Sequence, residues 1–196
     1  MKKYIHIFVL SVILAGMLLC MPFVNSCEEL TEDVLRVHIL ANSDSAADQS
    51  LKLGVRDRVL EGCSDYFDGC GDKDEAIALT RKHLPEIERL ASDEIHRRGF
   101  DYPVHAEDGK MYFNTRYYDD FTLPAGRYDA LRLTIGDGEG QNWWCVMYPS
   151  LCVGAASDRE MKDKLDEGEY QVVTGEKYDF RFKLVEYWES LRARFG

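Results

Sequence analysis

The first strong pattern is an unbroken apolar run. Ile5 to Val24 is interrupted only by His6, Ser11, Gly16 and Pro22, with Lys2 and Lys3 ahead of it and the small Ser26 behind. A positive start, an apolar centre and a small-residue close is the order of a secretory signal. The run also reaches the roughly 20 residues that cross a bilayer, so it reads equally as an uncleaved N-terminal anchor. Val24-Asn25-Ser26-Cys27 adds a third reading, a lipoprotein signal in which Cys27 would carry the lipid. In each case Lys2 and Lys3 stay on the cytoplasmic side. Residues 1–26 are therefore expected to be a signal peptide or membrane anchor, and residues 27–196 a single extracytoplasmic domain.

Beyond the run, periodicity changes several times. Val34 to Leu40 alternates as a strand does, with Val37 and Ile39 on one face. Ser45 is placed as a helix N-cap with Asp48 three residues on, a short version of the capping box. The following helix spans Ala46 to about Tyr66. Leu51, Val55 and Val59 form one apolar line, and Leu53, Leu60 and Phe67 another. Lys52, Arg56 and Cys63 fall between the lines, so Arg56 is aimed toward the core and needs a partner, with Asp44 one candidate. Gly54 weakens this helix and favours close approach of a neighbour.

A turn over Gly69 to Asp72 leads to a second helix from Lys73 to Arg98. Its stripe is Ile77, Thr80, Leu84, Ile87, Ala91 and Ile95, and Pro85 should kink or split it. Strand patterns follow over Tyr102 to Ala106, Lys110 to Tyr118, Tyr128 to Ile135 and Trp143 to Tyr148. Asp108-Gly109 reads as a hairpin turn, Pro124-Ala125-Gly126 as another, and Gly136 to Asn142 as a flexible hairpin connection. Ser157 caps a short helix to about Leu165. A last helix near Arg181 to Phe195 carries Leu184, Trp188, Leu191 and Phe195 as its stripe. The fold class is α+β: an N-terminal strand and two helices, then a mainly antiparallel sheet and a C-terminal helix.

Charge narrows the function classes. The net charge is −11, and −13 without residues 1–26. An acidic domain with no basic patch repels phosphate backbones, which argues against nucleic acid, and gains nothing from anionic lipid. Membrane contact is expected only through the N-terminal segment. Of six cysteines, Cys63, Cys70, Cys145 and Cys152 belong to the folded part. In an oxidising compartment the local pairs 63–70 and 145–152 are the simplest of three pairings, each worth about 2.5 kcal/mol by loop entropy; buried free thiols are the competing reading.

Candidate chemistry is sparse. The Gly136/Gly138/Gly140 loop lacks the following helix that a phosphate cradle needs. Asp137, Glu139 and Asn142 do not have calcium-loop spacing. The segment Asn42-Ser43-Asp44-Ser45 precedes a helix N-terminus, where anions bind, but Asp44 opposes an anion. Cys145 with His38 or His105 as base would make a cysteine-dependent hydrolase, and a wall-acting hydrolase using two carboxylates is a further alternative. No catalytic residue, metal ligand or cofactor is assigned.

Two segments carry a family resemblance. One is Arg36-Val-His-Ile-Leu-Ala-Asn-Ser-Asp-Ser45 with Asp48-Gln49, Leu51-Lys52-Leu53 and Val55-Arg56-Asp57. The other is Leu123-Pro-Ala-Gly126 through Ala130-Leu131-Arg132, Ile135-Gly136, Gly138 and Gly140 to Asn142-Trp-Trp-Cys-Val146, Pro149 and Leu151-Cys152. Together they resemble the stage II sporulation protein R family over residues 34–188. Val153 and Asn114 depart from it, at positions where an aromatic residue and a proline are expected. The resemblance implies an exported signalling protein of endospore-forming bacteria, delivered to the space between forespore and mother-cell membranes. There it would activate a membrane-embedded aspartic protease that cleaves the sigma-E precursor. The surfaces expected to meet that partner are Asn42, Ser43 and Asp44, then Asn142, Trp143 and Trp144, and Trp188 on the last helix. One of Trp143 and Trp144 should face the core and the other be available.

Overall fold

The structure is a computed structural model of the chain and describes residues 2–67, 70–118, 121–149, 165–175 and 180–195. Its elements are α1 (Lys2–Asp33), β1 (Leu35–Leu40), α2 (Ala46–Phe67), α3 (Lys73–Arg97), β2 (Val104–Phe113), β3 (Arg116–Tyr117), β4 (Thr122–Leu123), β5 (Gly126–Ile135), β6 (Asn142–Tyr148), α4 (Glu167–Thr174) and α5 (Phe180–Phe195). The class is α+β. The expected helix capped by Ser157 lies outside the described residues, and α4 has no counterpart in the sequence reading.

The chain divides into two units, residues 33–111 with 127–164, and residues 1–32 with 112–126 and 165–196. The first unit is a four-stranded sheet of order β2-β5-β1-β6 with α2 and α3 on one face. The sheet is mixed. β1 runs parallel to β5, with Val37 opposite Leu131, and antiparallel to β6, with Val37 opposite Cys145. Leu35, Val37, Ile39, Leu131, Leu133 and Ile135 share the face that meets Leu51, Val55, Val59, Ile87, Ala91 and Ile95. β1 and β5 alternate apolar with polar residues, and β1, in the middle of the sheet, is buried on both faces, Arg36 and His38 included.

Several expectations change. Asp108-Gly109 is not a hairpin; β2 runs straight through it. The tight hairpin turn that Asp-Gly favours requires positive φ, which Gly109 does not adopt. Arg81 of α3 instead holds the Asp108 carboxylate with bonds of 2.9 and 2.6 Å. Pro85 does not split α3; it lies on the exposed side. On α2 the interior line continues through Cys63, while Leu53 is 40% exposed and Leu60 half-buried. Gly54 does admit a close neighbour: a Cβ there would lie 2.2 Å from the Arg98 guanidinium carbon.

The second unit gathers α1 to Glu32, the β3–β4 ribbon, α4 and α5. α1 contains a stretch long and apolar enough to cross a membrane by length and composition. Its C-terminal end buries Cys27 and Leu30. Phe23 meets Phe182 edge-on at 5.3 Å, and Glu28 pairs with Arg192 at 3.0 Å. Asp166 caps α4 through a full capping box with Glu169. On α5 the expected stripe is out of phase. Phe182 and Val185 are buried together with Glu189, while Leu184, Tyr187 and Trp188 are exposed.

Candidate partner-binding surface

The glycine loop is not a hairpin connection. β1 lies between β5 and β6, so residues 136–141 must cross the end of β1, a span of about 10 Å between next-nearest strands. β1 and β5 are parallel and end at the same edge. The segment after β1, Asn42 to Ser45, therefore meets the crossing loop, and the two form a clasp. Gly140 N–H donates to the Ala41 carbonyl at 2.9 Å, and Glu139 N–H to the Asn42 carbonyl at 3.2 Å. Asp137 N–H donates to Asn42 Oδ1 at 3.0 Å. Gln141 N–H donates to Asp44 Oδ1 at 2.6 Å.

Asn42 is the hinge of this arrangement. Its amide Nδ2 donates to Asp48 at 3.0 Å, and the Ser43 hydroxyl donates to the same carboxylate oxygen at 2.5 Å. These two donors, with help from Tyr102 and Ser45, hold the Asp48 carboxyl below the usual carboxylate range although Asp48 is buried. Ser45 does cap α2, accepting from Asp48 N–H at 3.1 Å. Asp48 itself reaches the loop donors, so the reciprocal half of the capping box is replaced by Ser45 N–H donating to Ser43 Oγ at 3.2 Å. With these groups engaged and Asp44 in place, the helix start is a structural cap.

Three partners of the clasp were not legible as such. Lys52 is buried and donates to Gln49 Oε1 at 2.6 Å and to the Gln141 carbonyl at 2.8 Å. Burial lowers its pKa, with Arg56 adding to the effect and Asp44 opposing it. A lysine at a core phase of a helix is the signal that a carbonyl or carboxylate must reach it. The glycines are explained by close approach. A Cβ on Gly140 would lie 2.3 Å from the Ser43 carbonyl oxygen, and Gly136 and Gly138 have φ of +57° and +66°.

Of the expected surface residues, Asn42, Ser43 and Asp44 line the clasp, and Asn142, Trp143 and Trp144 open the strand that leaves it. Trp143 is half-buried against the core, with the Arg56 guanidinium 5.1 Å from its ring centre. Arg56 pairs with Asp57 at 2.6 Å, not with Asp44. Trp144 lies on the other face, stacked on His38 at 3.8 Å. Neither indole is fully buried or fully free, so the expected division is one of faces. Trp188 belongs to the second unit and is half-exposed.

The cysteine–histidine hypothesis fails on geometry. Cys145 is opposite Val37 and His38 opposite Trp144, so Cys145 and His38 project to opposite faces of the sheet. His105 is on β2, separated from β6 by β5 and β1, about 14 Å away at ordinary strand spacing. The 63–70 disulfide is also corrected: Cys63 and Cys70 are buried and not joined to one another. Cys63 sits on the core side of α2, its pKa raised to about 11 chiefly by burial. The Cys70 thiol is directed at the Tyr66 carbonyl, 3.9 Å away. Cys145 is not one of the free thiols, and Cys152 lies outside the described residues. Among the described residues no three His, Cys, Asp or Glu side chains gather as metal ligands.

These features define a class: a small α+β domain held by a two-loop clasp, preceded in the chain by a bilayer-length apolar helix. The match to known families gives the particular one. Residues 31–158 match the family described as stage II sporulation protein R, and the chain belongs to that family. It is 37% identical over 123 residues to the stage II sporulation protein R of Bacillus subtilis (strain 168), covering 63% of this chain and 55% of the relative. The match thus spans little more than half of that relative. No solved structure matches. The matched segment contains the whole clasp, whereas α4 and α5 lie beyond it.

Proposed function

We propose that the protein is an exported signal of sporulation. It acts by contact on a membrane-embedded aspartic protease and leads to cleavage of the sigma-E precursor. The observation that carries this reading is the family match over residues 31–158, directly following a helix apolar enough to enter a membrane. α1 serves as export signal or anchor, and the domain works in the space between forespore and mother-cell membranes. The separation of Cys145 from both histidines argues against the cysteine-hydrolase alternative.

A ligand shifts a protease toward its active state only by binding that state more tightly. The clasp supplies a rigid edge, and Trp144 beside it supplies the aromatic surface on which such interfaces concentrate their energy. Trp143, packed on the core, has a structural role. A pairing of Cys145 with Cys152 would fasten the strand that carries both indoles. The test is co-expression of the full chain with the protease and its precursor substrate in a non-sporulating host. Trp144→Ala is expected to cut precursor cleavage at least tenfold while leaving thermal stability within a few degrees. A loss of stability that matches the loss of cleavage would show Trp144 to be packing alone.

A further inference from the structure

α5 leaves Leu184, Tyr187 and Trp188 exposed at 45, 66 and 50%. At 3.6 residues per turn they occupy one arc of about 100°, on the side of α5 away from the buried Phe182 and Val185. Their cover can be read from the way α5 meets α1. The described side chains of α1 from Tyr4 to Leu19 are all exposed. Cys20 is the first half-buried position, and one turn on Phe23 meets Phe182 and lies under the Arg181 guanidinium at 4.3 Å. Tyr4 to Phe23 is the roughly 20-residue length that spans the hydrocarbon of a bilayer. The first turn of α5 therefore stands at the bilayer edge.

The inclination of α5 follows from its second contact, Arg192 with Glu28. Between the two contacts α1 advances five residues, about 7 Å, while α5 advances ten, about 15 Å. α5 thus runs steeply across α1, with one flank toward the bilayer and one away. One flank carries Glu186, half-buried and paired with Lys183 at 2.7 Å. Its carboxylate is hydrogen-bonded to Thr115 and Lys183, which hold its pKa down against burial. An ionised carboxylate cannot face hydrocarbon. The opposite flank is the Leu184–Tyr187–Trp188 arc. Trp and Tyr favour the headgroup level, and Lys183 and Arg192 have stems long enough to keep their charges in water.

We infer that the Leu184–Tyr187–Trp188 face of α5 rests in the headgroup layer of the bilayer that α1 enters, a second lipid contact beyond the N-terminal segment. This rests on the anchored reading of α1. Because the face is aromatic and apolar, the contact needs no anionic lipid. The test is reconstitution of the full chain into neutral phosphatidylcholine vesicles containing lipid brominated near the top of the acyl chain. Tryptophan emission should be quenched, and both Trp188→Phe and Leu184→Ser with Tyr187→Ser should reduce the quenching. Vesicle flotation, read in parallel, reports α1 insertion independently. Flotation with quenching unchanged in Trp188→Phe would overturn the proposal and leave the anchor standing. Flotation with no quenching in the unmodified chain would equally overturn it. Failure to float would remove anchor and proposal together.

Discussion

Gly140→Ala tests the clasp most sharply. The added Cβ would lie 2.3 Å from the Ser43 carbonyl oxygen and 2.5 Å from its carbon, so the two loops must part by about 1 Å to reach ordinary contact. That displacement takes the 2.9 Å bond from Gly140 N–H to Ala41 beyond hydrogen-bond range, and strains those from Glu139 to Asn42 and from Gln141 to Asp44. Each neutral bond is worth about 1 kcal/mol net, and the one to the Asp44 carboxylate about 1.5–3 kcal/mol. Against this, replacing glycine gains roughly 0.4–1 kcal/mol through the unfolded chain. The net expectation is about 2–3 kcal/mol of destabilisation. Gly109→Ala is the control, because a Cβ there meets nothing within 4 Å. It should be neutral or slightly stabilising. Urea unfolding of the full chain in mild detergent, followed by tryptophan emission, should show a midpoint lowered by about 1–2 M for Gly140→Ala. If the two variants unfold within about 0.5 kcal/mol of each other, the crossing loop is not held by the contacts described.

Two further outcomes are expected. Glu94 is buried, and Arg97 and Arg98 hold its carboxyl near pKa 2 against an ordinary 4.5, with burial opposing them. A carboxyl depressed in the folded state stabilises above the unfolded value and loses that contribution as pH falls from about 4.5 to 2, at most about 3 kcal/mol. The pH–stability curve of Glu94→Gln should therefore be flatter across that window, and an unchanged slope would refute the assignment. Cys63 and Cys70 should resist alkylation in the native protein at neutral pH and react fully in denaturant without reductant. A requirement for reductant would restore the disulfide between them.

Much of the fold was legible because its elements follow strong periodicities. β1, α2, α3, β5 and β6 fall within a residue or two of the boundaries that alternation and capping set. Failures arose where a local signal had a tertiary competitor. Asp108-Gly109 carries turn chemistry, but Arg81 claims the aspartate and the strand continues. α5 has apolar residues on two arcs, and sequence cannot say which arc finds Phe23. The crossing of residues 136–141 over β1 depends on strand order, which no local pattern encodes. For the same reason Asn42, Ser43, Asp44 and Asn142 could be grouped by resemblance, whereas the clasp joining them required Lys52 and Gln141, both invisible as site residues until the loops met. Cys63 and Cys70 are close in sequence, yet one belongs to the buried side of a helix and the other to the turn that follows it.

The central claim is that this domain acts beyond a membrane and by contact. The measurement is cleavage of the sigma-E precursor in a host holding only the protease, the precursor and this chain. Three forms are compared: the full chain, residues 27–196 confined to the cytosol, and the same residues behind an unrelated export signal. The account predicts cleavage with the first and third and none with the second, at equal protein levels. Full cleavage driven by the cytosolic form would contradict it.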